Sequence, residues 1–150
     1  MGQQDESLLF GVADIGGDTT STTVDKDGSP GEVQMITGTL LIDRAAGTPI
    51  WIYVDQTELT DLTTEDVSLQ ILSATASGGS FSEILELQLG TGTELTAAGL
   101  GSIGAVGIMP QILASGEWLR AIILYGGTPA TGQYRVGLGL QETSFMKILA

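Results

Sequence analysis

Neither cysteine nor histidine occurs anywhere in the chain. Their absence removes disulfides, thiolate and imidazole metal sites, and every catalytic device built on a Cys nucleophile or a His base. Only carboxylates, hydroxyls, Lys26, Lys147 and three arginines are left to do chemistry. Positive charge is scarce too: five basic residues stand against eighteen acidic ones, a net charge of -13. Such a field repels the phosphates of nucleic acid, so no nucleic-acid partner is expected. Aromatic residues make up 5% of the chain, too few for the stacking clefts in which paired carboxylates cleave sugars, and the expectation is a protein that is not an enzyme. No apolar run approaches the roughly 18 to 20 residues that cross a bilayer, and Met1 to Ser7 lacks a basic stretch followed by an apolar one. A soluble protein with no secretion signal and no membrane partner is expected.

What is present points to β structure. Hydrophobic residues form 42% and charged residues 15% of 150 residues, enough for one domain, 1–150, with a real core. Short apolar runs alternate with clusters of Gly, Ser, Thr and Asp, the punctuation of an all-β sandwich or barrel. Ile50 to Val54 (IWIYV) is β-branched and aromatic on both faces, as in a strand covered on two sides. Val67, Leu69 and Ile71 alternate with polar residues, as do Leu85, Leu87 and Leu89, so each run predicts a strand with one buried face. Ser77 to Ser80 (SGGS) between them predicts a turn. Trp118 to Tyr125 (WLRAIILY) and the row Tyr134, Val136, Leu138 and Leu140 read as an antiparallel pair. Gly137 and Gly139 on the second strand read as packing glycines, with close backbone approach or a bulge as the other possibility. Leu8 to Val12 and Met35 to Ile42 predict two further strands. The stretch Thr93 to Leu100 reads mostly as loop, with a helical turn as the alternative, before a strand near Ala105 to Met109. The predicted core is Ile50, Ile52, Val54, Val67, Leu69, Ile71, Leu85, Leu87, Leu89, Leu119, Ile123, Val136, Leu138 and Leu140.

Four segments read as lying outside the predicted core strands. Residues 1–7 and 14–31 predict an arm or surface loop, because the second is polar and too long for a hairpin turn. Thr57 to Asp66 carries acids at Glu58, Asp61, Glu65 and Asp66 and reads as a solvated connection. The end, 144–150, holds four large apolar side chains beyond the last strand. Phe145, Met146, Ile148 and Leu149 either fold back onto the sandwich or form an arm that docks on another subunit.

No motif closes into a chemical site. Asp25-Lys26-Asp27-Gly28-Ser29 with Glu32 beyond has the glycine and the last acid at the wrong offsets for a calcium loop and reads as a turn. Gly99, Gly101 and Gly104 match a phosphate-loop spacing without the alternating strand and helix such a loop needs. Trp51 and Trp118 lie in apolar strands and read as core rather than as ligand-stacking residues. No metal, cofactor or catalytic residue is expected.

From Gly47 to Gln141 the order of segments carries a resemblance. Its pieces are GTPIWIYVDQ (Gly47 to Gln56), VSLQILSA (Val67 to Ala74), GGSFSEILELQ (Gly78 to Gln88), IMPQ (Ile108 to Gln111) and GEWLRAIILYGGTPATGQYRVGLGL (Gly116 to Leu140). A glycine-proline strand entry, a serine-phenylalanine-serine turn, a proline near the middle and a closing glycine-rich strand follow in that order. The chain here resembles the jelly-roll capsid cement (decoration) proteins of short-tailed bacteriophages, typified by the Bordetella phage cement protein. The first 46 residues depart from the family's pattern: the segment 14–31 reads as an insertion, and Leu41-Ile42-Asp43-Arg44 is the nearest equivalent of the family's opening turn. The resemblance implies a jelly-roll-like antiparallel β-sandwich. It further implies a structural virion protein on the outer capsid surface, made in the host bacterial cytoplasm, that binds the major capsid protein and itself as a homodimer or homotrimer. Two alternatives share the composition: another virion β-module, such as a head fibre base or tail-associated part, and a carbohydrate-binding β-sandwich.

Overall fold

The structure, a computed structural model, describes residues 9–15, 21–34, 51–59, 66–108, 118–125 and 131–139, with the backbone alone for Gln34 and residues 102–108. Within them lie the strands β1 (Leu9–Asp14), β2 (Ser21–Thr23), β3 (Asp25–Lys26), β4 (Ser29–Pro30), β5 (Val33–Gln34), β6 (Trp51–Glu58), β7 (Asp66–Ala74) and β8 (Ser82–Thr91). A short helix α1 (Gly92–Ala98) follows, then β9 (Gly101–Ile108), β10 (Trp118–Tyr125) and β11 (Gln133–Gly139). Sheet A has the order β4-β3-β1-β11-β6-β9; sheet B has β2-β10-β7-β8, with β5 also on β10. All pairings are antiparallel, and the two sheets pack together as a β-sandwich.

The connectivity is that of a rolled hairpin. β7 pairs with β8, β6 with β9, β2 with β10 and β1 with β11, so early strands meet late ones in nested order. The long ribbon then folds over itself, because β11 also pairs with β6 in one sheet and β10 with β7 in the other. Two four-stranded sheets joined this way form a jelly roll. The β3–β4 hairpin and β5 are additions to that frame.

Burial follows period two where a sheet has one wet face. Val67, Leu69 and Ile71 on β7 and Leu119, Ala121 and Ile123 on β10 are fully buried, and the residues between them are half-buried. Opposite them, Tyr134, Val136 and Leu138 on β11 and Ile52 and Val54 on β6 complete the core. β6 is covered on both faces, as its apolar run predicts: Tyr53, between Ile52 and Val54, is also fully buried. Its ring lies over Gly139, where an added Cβ would stand 2.7 Å from Tyr53 Cε2. Gly139 is thus a packing glycine, its missing side chain making room for an aromatic ring.

The structure corrects several expectations. β10 and β11 do not pair; they lie in opposite sheets, because alternation marks which residues turn inward without saying which strand stands alongside. The described part of 14–31 is not an arm. It contributes β2 to sheet B and β3 and β4 to sheet A, with Val24 fully buried between them. Val24 and, at the start of the segment, Ile15 join the core, while the backbone pairs of β2 and β3 need no apolar side chains. Thr93 to Leu100 is mainly helical rather than loop. Thr91 and Glu94 form a capping box, with Thr91 N–H donating to Glu94 Oε1 at 2.9 Å and Glu94 N–H to Thr91 Oγ1 at 3.2 Å. β9 begins at Gly101, earlier than the expected Ala105. Trp51 and Trp118 open β6 and β10 on outward-facing positions and are half-buried, outside the core. Residues 1–7, Met35 to Ile42, Ile50 and Leu140 lie outside the described residues.

Candidate functional site

The acidic residues singled out for possible chemistry are dispersed by the fold. Asp25 and Lys26 pair with Pro30 and Ser29 in the β3–β4 hairpin. Asp27 (φ 55°) and Gly28 (φ 84°) make its two-residue turn, both with the positive φ such a tight hairpin demands. The turn reading of this segment therefore holds. Glu32 lies beyond the hairpin and faces elsewhere, onto Arg120. Asp55 is buried on β6, directly opposite Arg135 on β11, while Glu58 and Asp66 are exposed at a strand end and a strand start. Asp61 and Glu65 lie outside the described residues. Among the described residues, no three acidic side chains gather where one cation could bridge them. The Gly99-x-Gly101 spacing is likewise structural: Gly99 ends α1 and Gly101 opens β9, so the glycines leave a helix rather than enter one, the reverse of a phosphate loop.

Among the described residues, two polar clusters are centred on a buried or half-buried side chain, Glu32 in one and Gln56 in the other. The first ties the β7–β8 turn to sheet B. Arg120 donates from Nε and Nη2 to Glu32 Oε2 at 2.8 and 2.6 Å, Gly78 N–H donates to the same oxygen at 3.2 Å, and Ser77 Oγ donates to Oε1 at 2.5 Å. The guanidinium also stacks 4.2 Å above the Phe81 ring centroid. Burial by itself raises the Glu32 carboxyl, but the hydrogen bonds from Ser77, Arg120 and Gly78 and the charge of Arg120 outweigh it. They hold Glu32 below its ordinary value. The second cluster pins α1. Gln56, fully buried on β6, donates from Nε2 to Leu95 O at 2.8 Å and to Gly99 O at 2.7 Å. These carbonyls at the helix end would otherwise lack partners, and Leu95 packs into the core beside them. Neither cluster is visible in the sequence as a motif, because its members come from segments far apart in the chain.

The remaining feature is a pair of sheet edges. β8 ends sheet B and β9 ends sheet A, and α1 links them so that the two edge strands approach each other on one side of the sandwich. At the other side, β4 and β5 have two residues each and β2 three among the described residues. β8 has ten, and its Leu85, Leu87 and Leu89 reach the core only in part. The expected interface residues Phe145, Met146, Ile148 and Leu149 lie outside the described residues. No protein-family model matches the chain, and no curated protein matches it.

Proposed function

We propose that this protein is a structural component of a phage virion that binds the outside of the capsid and cements adjacent coat subunits. The observation that carries the reading is the jelly-roll connectivity, the fold that the sequence resemblance implies. The described parts of the quoted segments fall on β6, β7, the β7–β8 turn with β8, the last residue of β9, and β10 with β11. They therefore belong to the frame of nested strands rather than to the added β3–β4 hairpin and β5. A rigid sandwich with long open edges suits the task physically, since each module needs only modest contacts when it bridges two neighbours on a shell. Its net charge of -13 directs it toward protein rather than nucleic acid. The major capsid protein is the proposed partner, with the chain acting as a homodimer or homotrimer.

Purified particles from the virus encoding this chain provide the test. The reading requires the protein on intact capsids in a copy number comparable to that of the coat protein, visible by electron microscopy as density outside the shell. A few copies per particle, confined to a fibre base or the tail, would replace this reading with the other virion role. Absence from particles, together with selective binding on a glycan array, would make it a carbohydrate-binding module instead.

A further inference from the structure

We infer that the free edge of β8 is a strand-acceptor site for an extended, basic segment of a partner protein. The backbone argument comes first. Among the described residues β8 pairs with β7 along one side only, so over Ser82–Thr91 alternate N–H and C=O groups project from the other side of a ten-residue strand without a strand partner there. Proteins usually blunt such an edge by keeping it short, as β4 does here.

The side chains say what fits. On the inward face Leu85 and Leu87 stand opposite Ile71 and Leu69 of β7, yet they are half-covered while those two are fully buried. A strand laid beside β8 would cover them with its own inward apolar side chains. On the outward face Glu83 and Glu86 stand opposite Leu72 and Gln70, with Asp66 and Glu94 exposed near the far end. A second copy of β8 would bring glutamates toward glutamates in a chain that already carries -13. The favoured occupant therefore alternates apolar with basic residues and comes from another molecule. Acids alone would be explained as protection against edge-to-edge aggregation; half-covered leucines on the same strand would not.

This inference rests on the capsid-binding reading for who supplies the segment, but its chemistry is testable without a capsid. The probe is a ten-residue peptide alternating Lys and Val, with an alternating Glu and Val peptide as control, added to the full chain at low salt. The expected result is saturable binding of the basic peptide and about ten-fold slower amide exchange confined to β8. The Glu83→Gln/Glu86→Gln variant, which keeps strand-compatible side chains, should bind the basic peptide about ten-fold more weakly, with the same loss on raising salt. Equal binding of both peptides, protection on another strand, or self-association of the chain through β8 would overturn the inference. If β8 is protected but particles lack the protein, the capsid reading fails and the acceptor site stands. If particles carry the protein while the peptide leaves β8 exchange unchanged, the reverse holds.

Discussion

Leu69 and Leu87 face each other across the β7–β8 ladder, turn toward the same core and sit in runs that look alike in sequence. Leu69 is fully buried, whereas Leu87 is half-covered. The difference lies in the neighbours: β7 has β10 on its other side, and β8 has no strand there among the described residues. Period-two alternation thus reports which face a residue occupies, while its depth depends on how many strands flank it.

The sharpest way to break this comparison is to truncate both residues. Leu69→Ala should lower unfolding free energy by about 2 to 5 kcal/mol, and Leu87→Ala by only about 1 kcal/mol, since less area and less packing are lost at the edge. Urea denaturation of the two variants is the measurement; equal losses would mean that β8 is as deeply packed as β7. Next in size is Gln56→Leu, which keeps bulk but withdraws both donors from Leu95 O and Gly99 O. A loss of about 1 to 3 kcal/mol is expected, with faster amide exchange in α1. If α1 exchange is unchanged, the helix between the two edge strands is held by Leu95 alone.

Thr91→Ala removes the capping box where β8 passes into α1 and should cost about 1 kcal/mol. The smallest effect concerns acid. Because the folded state holds Glu32 below its ordinary value of 4.5, its contribution is present above that pH and is lost as pH falls through the depressed folded value. Glu32→Gln should flatten this part of the acid dependence in urea midpoints measured from pH 6 down toward about 3. A variant that keeps the wild-type acid slope would remove Glu32 as its source.

Fold class was legible in the residues because it depends on local signals. Short β-branched runs at β6, β7 and β10, separated by Gly and Ser, already point to an all-β sandwich or barrel. Sheet membership was not legible. β10 and β11 carry the same alternation in either arrangement, and only long-range pairing sends them to different sheets. The polar stretch around Val24 hid three short strands whose stability comes from backbone hydrogen bonds. At α1, four nearby glycines outweighed the Thr91 and Glu94 signature that marks a helix start. The candidate site divides likewise. Asp27-Gly28 announced its turn, but the β8 edge became apparent only from the strand order, in which β8 ends sheet B among the described residues.

The nested pairing also sets a timetable for folding. β11 lies between β1 and β6, so the middle of sheet A stays empty until β11 has been synthesised. A nascent chain that has made β1 and β6 still lacks the strand that joins them. Contacts this distant in sequence form slowly, which makes the arrival of β11 the step on which sheet A waits.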